Sequence, residues 1–154
     1  GDSAGGGLAL ATLVALRDAG SPLPAGAVCL SPWTDLAHSG ASIRSKARVD
    51  PMLSPESSVR YAGYYAGERA LTSPLISPLY ADLKGLPPLL FQVGTDEILL
   101  DDARRCAEKA REAGGKVTLE VWEGMFHVFQ TVSFLPETKK AVQRLAEFTA
   151  QCVN

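Results

Sequence analysis

Hydrophobic residues along this chain occur in short runs and at helical spacing, and segments rich in Gly, Pro and Ser separate them. From residue 4 to residue 19, small and aliphatic residues recur every three or four positions. Because Gly20 follows, this segment is predicted to be a buried helix with a glycine cap. Residues 25–30 form an apolar run that stops at Ser31-Pro32. Such a run is typical of a strand buried on both faces.

The pattern continues in the same alternating way to the end of the chain. Residues 33–55 are predicted to be an irregular excursion, residues 55–66 a short helix with Pro in its first turn, and the stretch up to residue 88 a second irregular segment. Strands are predicted at 89–93 and 117–122, a helix from 99 to the glycines at 114–115, and an amphipathic helix over 141–152. Strands that alternate with helices predict an α/β fold, with a parallel sheet flanked by helices.

Length and charge exclude several classes of protein. At 154 residues and 46% hydrophobic content, the chain can bury the core of one globular domain. The net charge of -2 comes from 17 acidic and 15 basic residues scattered along the chain, so no basic stripe predicts a nucleic-acid partner. No apolar run approaches the ~20 residues that span a bilayer. We therefore expect a cytoplasmic protein without a membrane span.

The cysteines and histidines do not predict a metal or an organic cofactor. Cys29, Cys106 and Cys152 are odd in number and widely spaced, so we interpret them as buried thiols in a reducing compartment. The two histidines, His38 and His127, lie on separate predicted loops and cannot make a ligand set with these thiols. The expected cofactor content is none.

The first five residues carry the strongest chemical signal. Gly1-Asp2-Ser3-Ala4-Gly5 fits the pattern G-x-S-x-G, in which glycines permit a sharp turn from strand to helix that exposes the serine hydroxyl. The alternatives are a glycine-rich turn without catalytic duty and a phosphate-binding loop. No Lys-Ser/Thr pair closes the loop, which argues against phosphate.

A nucleophilic serine needs a neutral base, and His127 is the better placed of the two histidines. It lies in a loop after the third predicted strand and before the last helix. His38 instead precedes the acids after the strand at 89–93, which is the wrong order along the chain for this class of hydrolase. The third member must be an acid at the end of a strand. Asp96 directly follows the strand at 89–93. Glu97, one residue further on, is the main alternative. Asp35, Asp101 and Asp102 are also possible acids, but a turn explains Asp35 and the first turn of a helix explains Asp101 and Asp102 without a catalytic role.

Four segments together resemble the bacterial hormone-sensitive-lipase-like esterases and lactone hydrolases of the α/β-hydrolase superfamily. They are GDSAGGGLAL at the turn, LSPWTDL after the next strand, SPLYADLKGLPPLLFQVGTDEILLDDA around the acid and VWEGMFHVF around the histidine. The resemblance covers essentially the whole chain. It implies a triad of Ser3, Asp96 and His127.

The resemblance further implies a carboxylic-ester hydrolase that works through an acyl-enzyme on short or medium acyl esters or lactones. The amide of Ala4 would supply one oxyanion donor. The other donors of the family belong to a His-Gly-Gly loop, which this sequence lacks. Residues 1–154 are accordingly expected to be the carboxyl-terminal part of an α/β-hydrolase domain, from the nucleophile turn onward, without its upstream strands, oxyanion loop and cap.

Two further readings and one pocket prediction remain open. The chain could be an oligopeptidase-like serine hydrolase, or a truncated non-catalytic module that pairs with a partner or with itself as a homo-oligomer. A pocket for the acyl or alcohol group is predicted from apolar residues that flank the irregular segments. These residues are Met52, Leu53, Tyr64, Tyr65, Val128 and Phe129.

Overall fold

The most continuously buried segment of the chain is the central strand of a parallel sheet. The computed structural model describes residues 1–153, and in it all six residues of β2 (Leu89–Gly94) are buried. β2 pairs with β1 (Ala27–Leu30) on one side and with β3 (Val117–Trp122) on the other, giving the order β1-β2-β3. The register sets Leu89 opposite both Ala27 and Val117. A strand covered on both faces needs apolar residues at successive positions, which explains the unbroken run in the sequence.

Five α-helices and two short 3₁₀-helices connect and flank these strands within the described residues. Three of the seven, α1, α3 and α4, lie within two residues of their predicted bounds. The exceptions are α5, which starts well before residue 141, and α2 and the 3₁₀-helices, which fall in segments predicted to be irregular. The α-helices are α1 (Ser3–Asp18), α2 (Ser42–Ser45), α3 (Pro55–Ala66), α4 (Leu100–Glu112) and α5 (Pro136–Val153), and the 3₁₀-helices are Pro78–Tyr80 and Phe129–Thr131.

The helices cover both faces of the sheet. Leu89, Phe91 and Val93 alternate along β2 and pack in one core with apolar residues of α1 and α4. Gln92 points to the opposite face, where its Nε2 atom donates a hydrogen bond to the carbonyl oxygen of Ala141 in α5 at 3.1 Å. The predicted α/β fold, with helices on both faces of a parallel sheet, is therefore confirmed.

Two of the three cysteines lie in the hydrophobic core. Cys29 of β1 and Cys106 of α4 are buried, and burial raises the pKa of the Cys29 thiol to about 12 and that of the Cys106 thiol further still. All three cysteines are free, but Cys152 is only half-buried, so the prediction of three buried thiols is wrong for that residue.

Candidate active site

The serine turn joins the edge of the sheet to the first helix. Gly1 lies alongside β1, since its nitrogen donates to Val28 O at 2.8 Å and its oxygen accepts from Leu30 N at 3.0 Å. The chain then turns sharply into α1 at Ser3, whose φ of 49° lies in the left-handed region that costs a non-glycine residue energy. A Cβ atom at Gly1 would lie 2.3 Å from Gly5 O, so only glycine fits there.

His127 and Glu97 form a buried pair behind this turn. His127 Nδ1 lies 2.9 Å from Glu97 Oε2, and both side chains are shielded from solvent. The other carboxylate oxygen, Oε1, accepts from Gly94 N at 2.7 Å and from Ser31 Oγ at 2.8 Å. With both oxygens engaged, the carboxylate is held in one orientation toward the imidazole ring.

The structure therefore corrects the expectation that Asp96 pairs with His127. The Asp96 side chain is 40% exposed, and its Oδ1 atom lies 3.8 Å from Lys46 Nζ. The two acids are neighbours in the turn after β2. Successive side chains there point in different directions, and the backbone of the turn sends Glu97 inward and Asp96 outward. No periodicity operates in such a turn, so the sequence pattern alone could not choose between them.

The short segment at residues 31–33 links the serine to the histidine loop. Trp33 N donates to Ser3 O at 2.9 Å, which holds the segment against the nucleophile turn. Two residues earlier, Ser31 Oγ accepts from Val128 N at 3.1 Å, next to His127. The serine, the histidine and Glu97 are thus gathered at the carboxyl ends of the strands, where α/β proteins place their sites.

The remaining acids and the second histidine lie in other environments. Asp35 and Asp102 are buried in a separate hydrogen-bonded cluster, where Asp102 Oδ2 accepts from Thr34 N and Asp35 N at 2.8 Å each. Asp101 accepts from Ser42 N at 2.9 Å. The His38 ring lies 5.8 Å from the Trp33 ring, and burial lowers the pKa of its imidazole. His38 occupies a loop, as the sequence predicts.

The start of α1 offers amide groups that no helical carbonyl satisfies. The first helical hydrogen bond of the chain runs from Gly6 N to Asp2 O at 3.0 Å. The amide of Ala4 precedes it, in the first turn after the serine, where backbone N–H groups have no partner within the helix. An amide in this position can receive a negative charge that develops next to Ser3.

A cavity of about 580 Å³ opens beside the serine. Its wall combines the nucleophile turn, the Trp33 segment, the loop before α3 and one face of α3. The indole of Trp33 and the side chains of Leu36 and Leu99 make it largely apolar. The full lining is Ser3, Ala4, Gly7, Leu8, Trp33, Leu36, Met52, Leu53, Ser57, Ser58, Tyr61, Tyr65 and Leu99.

Three of the six residues predicted to form a pocket line this cavity, and three do not. Met52, Leu53 and Tyr65 line the cavity. Tyr64 does not, because it points away from the cavity on α3 and is 76% exposed. Val128 and Phe129 do not line it either, because both are buried in the interior. Tyr61 was missed, although residues 57, 58, 61 and 65 follow the spacing of one helix face.

Asp50 ties the wall of this cavity to the loop that carries Glu97. Its Oδ1 atom accepts from Met52 N and Leu53 N at 2.9 Å each, and its Oδ2 atom accepts from Ile98 N at 2.8 Å. An aspartate that caps its own loop is common, but the contact to Ile98 adds a long-range anchor. No pattern in the sequence indicates this role.

A sequence model of the family described as alpha/beta hydrolase fold matches residues 1–131. The chain belongs to this family. Among individual α/β-hydrolases, it is 49% identical to an acetyl-hydrolase of Streptomyces hygroscopicus over 96% of its own length and 50% of that protein. It is 40% identical to an esterase of Acinetobacter venetianus, again over 96% of its own length and 50% of the relative.

Solved structures of α/β-hydrolases give the same result. An esterase from the bacterial hormone-sensitive lipase family matches with a TM-score of 0.97 and 51% identity, over 100% of this chain and 52% of that one. A hormone-sensitive lipase from a metagenome library matches with a TM-score of 0.96 and 39% identity, over 99% and 53%. The predicted resemblance to this group is confirmed. The chain spans about half the length of the curated relatives it matches.

Two features are absent from residues 1–153, the part of the chain that the structure describes. Within that range, no group of three or more His, Cys, Asp or Glu side chains is arranged to hold a metal ion. Nor do any of the helices there have the length and apolar character that crossing a membrane requires.

Proposed function

We propose that this α/β-hydrolase is a serine carboxylic-ester hydrolase in which Ser3 is the nucleophile, His127 the base and Glu97 the acid. One observation carries the proposal: a buried carboxylate lies 2.9 Å from His127 Nδ1, and the segment at residues 31–33 connects this pair to the strained serine turn. The relatives named as esterase and acetyl-hydrolase support the same class of reaction. Asp96, whose side chain faces Lys46, has no part in this proposal.

The first half-reaction forms an acyl-enzyme. Glu97 accepts the Nδ1 proton of His127 in a hydrogen bond, which leaves Nε2 as the acceptor for the Ser3 hydroxyl proton. As that proton moves to Nε2, Ser3 Oγ bonds to the ester carbonyl carbon. The carbonyl oxygen then carries the negative charge, and the Ala4 amide donates to it. When the carbon–oxygen bond to the alcohol breaks, the alcohol leaves with the proton from Nε2.

The second half-reaction regenerates the enzyme. A water molecule gives a proton to His127 Nε2 and bonds to the acyl carbon, which forms a second oxyanion at the same amide. The bond to Ser3 Oγ breaks, and the proton returns from Nε2 to the serine. Glu97 keeps its hydrogen bond with Nδ1 through both steps and stabilises the imidazolium each time it forms.

The cavity supports a small neutral substrate. Leu36, Met52, Leu53 and Leu99 offer an apolar wall, and none of the residues that line the cavity is charged. A short or medium acyl chain, or the ring of a lactone, gains free energy when it leaves water for such a wall. The oligopeptidase-like alternative would require hydrogen-bonding partners along the backbone of a peptide substrate.

Labelling with a fluorophosphonate tests the nucleophile. The purified protein is treated with the probe, digested and analysed by mass spectrometry. We expect the label on Ser3 and its complete loss in Ser3→Ala, a variant that removes one half-buried hydroxyl and keeps the fold. An unlabelled native protein, or a label on another serine, would overturn the proposal. Esters and acylamino substrates assayed side by side then separate an esterase from an oligopeptidase.

The acyl pocket is tested by a matched pair of tyrosines on α3. Tyr61 lines the cavity, whereas Tyr64 is three residues away and points to solvent. We expect Tyr61→Ala to raise KM for p-nitrophenyl hexanoate by roughly 10-fold relative to the acetate ester, because apolar contact is lost only for the longer chain. Tyr64→Ala serves as the control and should leave the ratio unchanged. Equal effects of the two variants would contradict this pocket.

A further inference from the structure

Ser31 lies between the Glu97 carboxylate and the loop that carries His127. It directly follows β1, is fully buried and has a φ of 44°, in the left-handed region. Its backbone is fixed from the sheet, since Ser31 N donates to Gln92 O at 2.7 Å. A serine that keeps this costly conformation in the interior is held there by its surroundings.

The Ser31 hydroxyl bridges the Glu97 carboxylate and the His127 loop. Its Oγ atom donates to Glu97 Oε1 at 2.8 Å and accepts from Val128 N at 3.1 Å. One hydroxyl can make both bonds because it has one proton and two lone pairs. Glu97 Oε1 takes its other hydrogen bond from a backbone amide, that of Gly94. Ser31 is therefore the side chain that fixes the oxygen opposite His127.

The bond to Val128 fixes the other partner. Val128 directly follows His127 and has φ 51° and ψ 40°, a conformation that is especially costly for a β-branched residue. Its amide has Ser31 Oγ as its acceptor, and its carbonyl accepts from Thr131 Oγ at 2.9 Å. Without the serine, a buried amide beside His127 would lose its partner, and the strained turn would be free to relax.

We propose that Ser31 is a positioning residue that sets the geometry of the Glu97–His127 pair by binding the carboxylate and the histidine loop with one hydroxyl. This inference rests on the proposed function. Ser31 does not line the cavity, so it acts through the pair and not on the substrate. Its removal should lower kcat and leave KM unchanged.

The kinetic test compares two substitutions at this position with a matched control. We expect Ser31→Ala and Ser31→Gly each to lower kcat by about 10- to 100-fold, the size expected for losing a hydrogen bond to a charged group. Glycine accepts the left-handed backbone without strain, so Ser31→Gly separates the hydroxyl from the backbone. Ser77→Ala is the control, because Ser77 is equally buried and its hydroxyl also bridges two loops, from Leu36 N to Leu71 O. It should lower stability and leave kcat unchanged.

A second readout does not depend on activity. The chain contains two histidines, so the Nδ1 proton of His127 can be assigned by NMR with a His38→Gln variant. We expect its hydrogen-bonded resonance to shift and to exchange faster with solvent in both Ser31 variants, and to stay in place in Ser77→Ala. If the fluorophosphonate did not label Ser3 but the His127 resonance still changed in the Ser31 variants, the positioning role would stand and the esterase proposal would be wrong. An unchanged resonance and an unchanged kcat in both Ser31 variants would overturn the positioning role.

Discussion

Two buried carboxylates at the same edge of the sheet differ in what they face. Glu97 follows β2 and Asp35 follows β1, and both side chains are fully buried and accept several hydrogen bonds. In the Glu97 cluster, defined by Glu97, Ser31, Gly94 and His127, one oxygen faces an imidazole. In the Asp35 cluster, no histidine side chain is hydrogen-bonded to the carboxylate within the described residues, and His38 is hydrogen-bonded to Asp35 only through its backbone N–H, which donates to Asp35 O at 3.1 Å. The members of this cluster are Asp35, Ser39, Tyr80, Asp102 and Arg105.

The difference shows that burial and hydrogen bonding do not by themselves identify a catalytic acid. Asp35 accepts from Ser39, Tyr80 and the backbone, and its closest cation is Arg105, at 3.1 Å. These partners fix a loop but cannot exchange a proton at neutral pH. Glu97 faces the one type of side chain that can do so. The side chain that each carboxylate faces therefore separates the structural carboxylate, Asp35, from the proposed catalytic one, Glu97.

The largest expected effect distinguishes Glu97 from its neighbour in sequence. We expect Glu97→Gln to lower kcat/KM by about 10⁴-fold, because an amide cannot stabilise the imidazolium and can donate to Nδ1, which selects the wrong tautomer. Asp96→Asn, at the exposed neighbouring position, is the control and should change kcat/KM by less than about 2-fold. Steady-state kinetics on p-nitrophenyl acetate measures both, and a larger loss in Asp96→Asn would restore the acid predicted from sequence.

The second prediction moves to the Asp35 cluster and concerns stability. We expect Asp35→Ala to lower the free energy of unfolding by about 3 kcal/mol, because the part-buried donors Ser39 N, Ala37 N and Tyr80 OH lose a fully buried acceptor. Arg105 adds little to this loss, since its side chain is 40% exposed. Urea unfolding monitored by circular dichroism measures the change.

The control for that experiment lies in the same cluster. Tyr80→Phe removes one donor and leaves the carboxylate with its other partners, so a loss of about 1 kcal/mol is expected. Glu97→Gln keeps the shape of its side chain and should cost less stability than Asp35→Ala. If Glu97→Gln instead unfolded the protein while Asp35→Ala did not, the division into a catalytic and a structural carboxylate would be wrong.

The contrast also explains what the sequence could predict. The three strands were found because parallel strands buried on both faces leave unbroken apolar runs, as in β2. Ser3 and His127 could be proposed because the turn and the order of residues along the chain constrain them. These features depend on local pattern and on chain order, which a sequence displays directly.

The residues that the sequence analysis misassigned lie in turns and loops. Asp96 and Glu97 are adjacent in a turn, and Val128 lies in a loop whose left-handed backbone turns it inward. The direction of such side chains depends on the tertiary path of the backbone. Ser31 escaped notice for the same reason, since a serine before proline is also typical of an ordinary strand end. Tyr61 is the exception, because its spacing from Tyr65 on one face of α3 could be recognised from the sequence.

The smallest effect tests the charge state inside the Asp35 cluster. Burial raises the pKa of Asp102 to about 8, even though the amides of Asp35 and Thr34 donate to its carboxylate and lower the pKa in part. Burial also acts to raise the pKa of Asp35, but there the hydrogen bonds from Ser39 and Tyr80 and the charge of Arg105 outweigh it, so its pKa falls below the ordinary value. Two acids in contact thus respond to burial with opposite net shifts.

The opposite shifts predict opposite pH dependences. A group whose pKa is raised in the folded state binds more protons there than in the unfolded chain, so its contribution to stability is lost as the pH rises toward 8. Asp35 has a lowered pKa, so its carboxylate stabilises the folded state above about pH 4, and this stabilisation is lost only as the pH falls further. Between pH 6 and pH 9, the native protein should therefore lose about 2 kcal/mol that Asp102→Asn does not lose. Urea unfolding of both proteins at the two pH values measures this difference. An equal loss of stability in both proteins would mean that Asp102 is already ionised at pH 6. The amides of Thr34 and Asp35 would then lower the pKa of Asp102 by more than burial raises it, as Ser39, Tyr80 and Arg105 do for Asp35.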